Sequence, residues 1–118
     1  MIKTTQKDFA IFKKEFLRWV NIFGLKDWKI EFDREPLTRG YAECRSSLIG
    51  RVATIVLTSE IKDEGDAKYF NPARSGKHEA IELLLAPLDI TARYRYISQD
   101  NVDEATHTII RVLEKVLK

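Results

Sequence analysis

Histidine and cysteine are scarce in this chain, with two histidines and one cysteine among 118 residues. Cys44 alone cannot form an intramolecular disulfide, nor can it build a cysteine-rich zinc knuckle within the chain. A lone thiol fits a reducing compartment. The N-terminal Met1-Ile-Lys-Thr-Thr-Gln-Lys lacks the apolar block and small-residue cleavage site of a signal peptide, so the expected location is the cytoplasm. No apolar run approaches the ~18 residues of a membrane span, and no membrane partner is expected. Charge of one sign is missing too. Twenty basic residues against 18 acidic ones leave a net +2, too even to indicate nucleic acid by itself. No repeat, low-complexity tract or long linker divides the sequence, so residues 1–118 are expected to form a single domain. With so little histidine and cysteine, any metal site has to draw on carboxylates.

What is present is ordinary for a folded domain, 44% apolar and 32% charged. Residues 8–23 predict a helix, because Phe9, Phe12, Phe16, Trp19, Val20 and Phe23 recur at spacings of three and four before a stop at Gly24. Residues 28–32 alternate, with Trp28, Ile30 and Phe32 on one side, which predicts a half-buried strand. Pro36 and Gly40 mark a turn, residues 41–45 a second strand, and the β-branched run 50–58 a third. The charged stretch at 62–66 reads as a solvated loop. A helix is expected from Pro72 or Ser75 to about Leu85, kinked or ended by Pro87, with a short helix over 89–96. A last helix starts near Asp100, with Val102, Ala105, Ile109, Val112, Leu113 and Val116 on its inner face. This order predicts an α+β fold, an antiparallel or mixed sheet backed by helices.

The helix through residues 77–86 is unusual. Ala80, Ile81, Leu83, Leu84, Leu85 and Ala86 cover most of its circumference, which predicts a buried helix, and His78, Glu79 and Glu82 share the remaining sector. Two carboxylates on a buried helix are costly unless compensated, and a divalent cation would compensate both. Residues i and i+4 stack on a helix, so His78 and Glu82 can reach one ion, with Glu79 offset beside it. Hydrolases with His-Glu-x-x-His use this arrangement, the glutamate taking a proton from the attacking water. The same residues also fit a plainer description, an i to i+4 ion pair between His78 and Glu82 on a solvated edge.

The chain resembles the zincin-like metallopeptidases of bacteriophages and prophages, related in style to the SprT-type proteases. The likeness runs through the aromatic first helix and Gly24-Leu25-Lys26-Asp27-Trp28-Lys29-Ile30, then Ala53-Thr54-Ile55-Val56-Leu57. It continues through His78-Glu79-Ala80-Ile81-Glu82-Leu83-Leu84-Leu85-Ala86-Pro87-Leu88, Ala92-Arg93-Tyr94, and Ile109-Ile110-Arg111 in the closing helix. The resemblance implies a minimal zincin-like fold and one zinc ion per chain. It also implies an edge strand for an extended peptide or protein substrate, and a third ligand from the last helix. The family carries histidine where this chain has Glu82, and glutamate where the last helix has His107. Exchanging the two types keeps two imidazoles and one carboxylate around the ion. The implied ligands are then His78, Glu82 and His107, with Glu104 as the alternative third and Glu79 as general base. Periodicity sets His107 nearly opposite its helix's apolar face and Glu104 nearer the boundary. Residues 53–57 are the expected substrate-pairing strand.

Two other readings stay open. One is a zincin-shaped metal-binding protein without catalysis, since an anionic ligand in place of imidazole weakens the ion as a Lewis acid. The other is weak nucleic-acid binding by a patch of Arg74, Lys77, Arg93 and Arg95 interleaved with Tyr94 and Tyr96. Cys44 is read as a small residue in or beside a strand.

Overall fold

Local signals fix the ends of the three long helices. In the computed structural model, which describes residues 1–117, α1 spans Gln6–Phe23. Thr5 and Asp8 cap it reciprocally, and Gly24 closes it in the left-handed conformation at φ 71°. Helix α3 (Pro72–Ala92) starts on an Asn71 cap with Pro72 in its first turn, and α4 (Gln99–Val116) on a Ser98–Asn101 capping box. Between α1 and α3 lie strands β2 (Lys29–Glu35), β3 (Ala42–Ser47) and β4 (Val52–Thr58). A small ribbon pairs β1 (Ile2–Lys3) antiparallel with β5 (Glu60–Ile61), and a short α2 (Glu64–Ala67) follows.

The main sheet is mixed, in the order β2-β4-β3. Strand β4 runs parallel to β2 and antiparallel to β3, with Phe32 opposite Ile55 and Cys44 opposite the same Ile55. Its placement explains its composition: a strand bonded on both edges is buried, and Ala53, Ile55, Val56 and Leu57 are all inaccessible to solvent. Phe12, Phe16 and Val20 of α1 and Ala80, Leu83 and Leu84 of α3 complete the core, with Phe16 edge-on to Phe32 at 5.5 Å. Helices α1 and α3 touch closely at Gly76, where an added Cβ would lie 2.5 Å from the Phe12 carbonyl oxygen. Ile109 of α4 joins the same core, while the other expected inner-face residues of that helix are half-buried.

The α+β class, the mixed sheet and the last helix follow the sequence pattern. Four expectations do not. Helix α3 is continuous through Pro87 to Ala92, because proline costs one backbone donor and the packed helix tolerates that loss; residues 93–96 lie outside any helix. The stretch at 62–66 contains the start of α2, none of whose residues is buried. Residues 53–57 are the central strand with both edges occupied, so they cannot accept a further chain; the edge strand beside α3 is β3. Finally, α3 is not buried all round: Ile81 and Leu85 are 37% and 41% exposed, because α1, α4 and β3 pack on other parts of its circumference and leave that sector open.

Candidate metal centre

Helix α3 runs alongside β3, and a groove opens between them. At its middle the helix presents His78, Glu79 and Glu82, one ligand atom of each lying within 4.8 Å of the others. His78 Nε2 is 3.4 Å from Glu82 Oε1, as expected one helical turn apart. These two side chains are open to solvent, whereas Glu79 is only 3% exposed. Its Oε1 is buried without a hydrogen-bond partner. Of the two carboxylates expected to be buried, the structure buries only Glu79.

That burial has an electrostatic consequence. Loss of hydration, a hydrogen bond from the protonated carboxyl to Glu82, and the negative charges of Glu82 and Glu43 push the Glu79 carboxyl up to about 9. Cys44 stands on the inner face of β3 across the groove. Burial first, then the charges of Glu79, Glu82 and Glu43, push its thiol up to about 12. Both shifts favour the neutral forms, so the groove disfavours charge on Glu79 and Cys44 while it holds no cation. The donor set, one imidazole nitrogen and two carboxylates with an unbonded oxygen among them, fits a divalent cation.

Two clefts flank the cluster. One of about 350 Å³ is lined by Tyr41 and Ala42 from the β3 side, Tyr69, and Arg74, Ser75, His78 and Glu79 of α3. The other, about 430 Å³, is lined by Cys44, Ser46, Glu82, Leu85, Asp89 and Arg93. The cluster therefore sits on the divide between two pockets along one edge strand.

Other expected site residues stand apart. Among the described residues the metal-competent group contains His78, Glu79 and Glu82, and neither His107 nor Glu104. His107 is exposed on α4, its Nδ1 turned back 2.8 Å from the Asp103 carbonyl oxygen, and Glu104 is exposed as well. The basic aromatic patch does not form as one surface. Arg74 and Lys77 lie in the first turns of α3, Arg93 and Arg95 beyond its end, roughly 28 Å away at 1.5 Å per residue. Lys77 covers the Trp19 ring, Arg93 pairs with Asp89, and Arg95 rests on Tyr96. The sequence reading missed the placement of Cys44, whose alternation with Ala42 and Ser46 on β3 aims it at α3. That alternation was visible, but nothing local told which face of the strand α3 would cover.

Comparison with protein-family models, with curated proteins and with solved structures finds no match for this chain. Among the described residues, no helix is long and apolar enough to cross a membrane.

Proposed function

We propose that this chain is a minimal zincin-like, zinc-dependent peptidase of the phage and prophage type, acting on an extended peptide or protein segment laid along β3. The observation that carries the proposal is Glu79: a carboxylate 3% exposed, with an unbonded oxygen, beside His78 and Glu82 in an open groove. A helix that packs its other flank against α1 has no structural use for such a group. His78 and Glu82 would hold the ion, which when bound would supply polarisation of a carbonyl and acidification of water. In the metal-free groove, burial and the neighbouring anions favour the neutral form of Glu79; a cation beside it would favour the ionised form, which would take a proton from water and pass it to the leaving amine. The outer edge of β3 offers backbone donors and acceptors to the substrate.

One observation favours a second reading, an ion-binding protein without hydrolysis. All three side chains lie within 4.8 Å of one another, so Glu79 itself stands at ligand distance and leaves no separate base. One experiment separates the two. Zinc content is measured by elemental analysis on protein purified without a nickel column, for the parent, Glu82→Ala and Glu79→Gln. The peptidase reading expects about one zinc per chain, lost in Glu82→Ala, kept in Glu79→Gln, with cleavage of denatured casein abolished in Glu79→Gln. Zinc lost in Glu79→Gln together with an inactive parent supports ion binding alone. A folded parent that takes up no zinc overturns both.

A further inference from the structure

The two clefts differ in charge. On the Glu82 side, the guanidinium of Arg93 is held 3.2 Å from Asp89. On the His78 side, Arg74 lines the cleft and has no carboxylate within ion-pair distance among the described residues, while Arg18 and Arg93 each have one and Arg45 has two. The first turn of α3 carries no acidic residue, so nothing local neutralises Arg74 or the positive end of the helix dipole. Asn71 fixes that turn by accepting the Arg74 backbone N–H at 3.2 Å. Ser75, only 9% exposed, lines the cleft beside Arg74, and its hydroxyl bonds to no protein group among the described residues. The wall is held in place. Tyr41 packs on Phe70 and donates its hydroxyl to the Asp66 carbonyl at 2.6 Å.

We propose that this cleft binds a carboxylate carried by a peptide, with Arg74 as the reading group. Arg74 and His78 are one turn apart on the same stripe of α3, roughly 6 Å along the axis. An extended chain advances about 3.3 Å per residue, so a carboxylate one or two residues from a peptide group spans that interval. A peptide lying beside β3 then seats its carboxylate on Arg74 while a neighbouring peptide group lies over Glu79. Guanidinium is the cation best matched to this ligand, because it donates two parallel hydrogen bonds to the two oxygens. A C-terminal carboxylate and an aspartate or glutamate side chain supply the same chemistry. The first makes the cleft a seat for a chain end, the second a preference for acid beside the cleaved bond. The inference rests on the peptidase reading for the fate of the bound chain, and not for the binding.

The test is a titration of metal-free, ¹⁵N-labelled protein, followed by amide shifts, so that no turnover occurs. The probes are acetyl-tetraalanine amide, acetyl-tetraalanine with a free C-terminus, and acetyl-Ala-Ala-Asp-Ala amide. At least one acidic peptide is expected to bind tenfold or more tightly than the neutral amide, shifting the amides around residues 71–79. Preference for the free C-terminus alone identifies a chain-end seat; preference for the aspartyl peptide alone identifies a side-chain site. The preference is expected to vanish in Arg74→Gln and to survive in Arg93→Gln, which removes an equal charge from the other cleft, the spectrum itself reporting that each variant is folded. Equal affinities for all three peptides, no binding of any, or a preference that survives Arg74→Gln overturns the proposal. Failure of the peptidase reading shows separately, as absent zinc or as uncleaved peptides in the zinc-loaded parent.

Discussion

Helix α3 has two working flanks built on opposite rules. Toward α1 it offers Gly76 and, one turn on, the fully buried Ala80, and the two helices approach so closely that Gly76 has no room for a methyl group. The buried contacts on that flank are apolar, apart from Lys77 laid over the Trp19 ring at its margin, and their burial is favourable at about 25 cal/mol per Å². Toward β3 the same helix buries Glu79 with an oxygen that bonds to nothing, facing a thiol and a second carboxylate. A buried, unpaired polar group costs on the order of 1–3 kcal/mol. The first flank is a source of stability and the second draws on it. A residue that lowers the stability of its own helix packing is best understood by what it binds, which is why the α3–β3 groove and not the α1–α3 seam is read as the site.

The sharpest way to break the packed flank is Gly76→Ala. Its Cβ would meet the Phe12 carbonyl oxygen at 2.5 Å, the Phe16 nitrogen at 3.0 Å and Glu15 Cβ at 3.3 Å. Two of these are backbone atoms on a helix and cannot swing away, so α1 and α3 must separate. Alanine's better helix propensity recovers only about 1 kcal/mol. The expected net loss is about 3 kcal/mol, read as a lower denaturant midpoint with a scarcely changed slope. An unchanged midpoint would mean that the seam is not close-packed.

The groove flank is tested by Glu79→Gln in metal-free protein, where the sign is opposite. The folded state holds the Glu79 proton up to about pH 9, against an ordinary value of 4.5. Its contribution to stability is therefore fully present below about pH 4.5 and is lost as pH rises toward 9. The parent should weaken across that window while Glu79→Gln, permanently neutral, does not. At pH 7 the variant is expected to be more stable by about 2 kcal/mol, the proton's cost being partly shared with Glu82. Parallel pH profiles for the two proteins would show that Glu79 is not strained by burial.

The seam and the groove were not equally legible in the sequence. The aromatic stripe of α1, its stop at Gly24 and the β-branched run of β4 are local signals, and the structure follows them. His78, Glu79 and Glu82 were also legible as a group, since helical spacing alone brings i, i+1 and i+4 together. What was not legible depends on tertiary arrangement. The apolar run around Ile81 and Leu85 suggested burial on all sides, yet which flank of α3 gains a partner is decided by where α1 and the sheet pack. The edge position of β3 follows from strand order, which hydrophobic pattern does not encode: the continuous apolar run that made 53–57 a good strand is also what made it the central one. His107 and Glu104 depended on the distance between two helices, which no local pattern sets.

Cys44 offers a finer probe of the groove's field. Its thiol, pushed up to about 12 by burial and then by the charges of Glu79, Glu82 and Glu43, holds very little thiolate at pH 8. Alkylation by iodoacetamide at that pH should be roughly 100-fold or more slower in the folded protein than in urea. Replacing one of the contributing charges, as in Glu82→Gln, should raise the folded-state rate by a smaller factor, because burial is the larger cause. Equal rates in the folded and unfolded chains would place Cys44 outside the groove.

The smallest effect is expected where the resemblance placed a third ligand. His107 is exposed, with its Nδ1 engaged at the Asp103 carbonyl, and Glu104 is exposed on the same helix; neither belongs to the cluster around Glu79. If the ion is held from α3 alone, His107→Ala and Glu104→Ala should each leave zinc affinity within about twofold of the parent, far below the tenfold that 1.4 kcal/mol represents. Isothermal titration with zinc on each variant reads this directly. A tenfold loss in either one would mean that α4 closes toward α3 when the ion binds. The groove would then be an open form of a site completed by that helix.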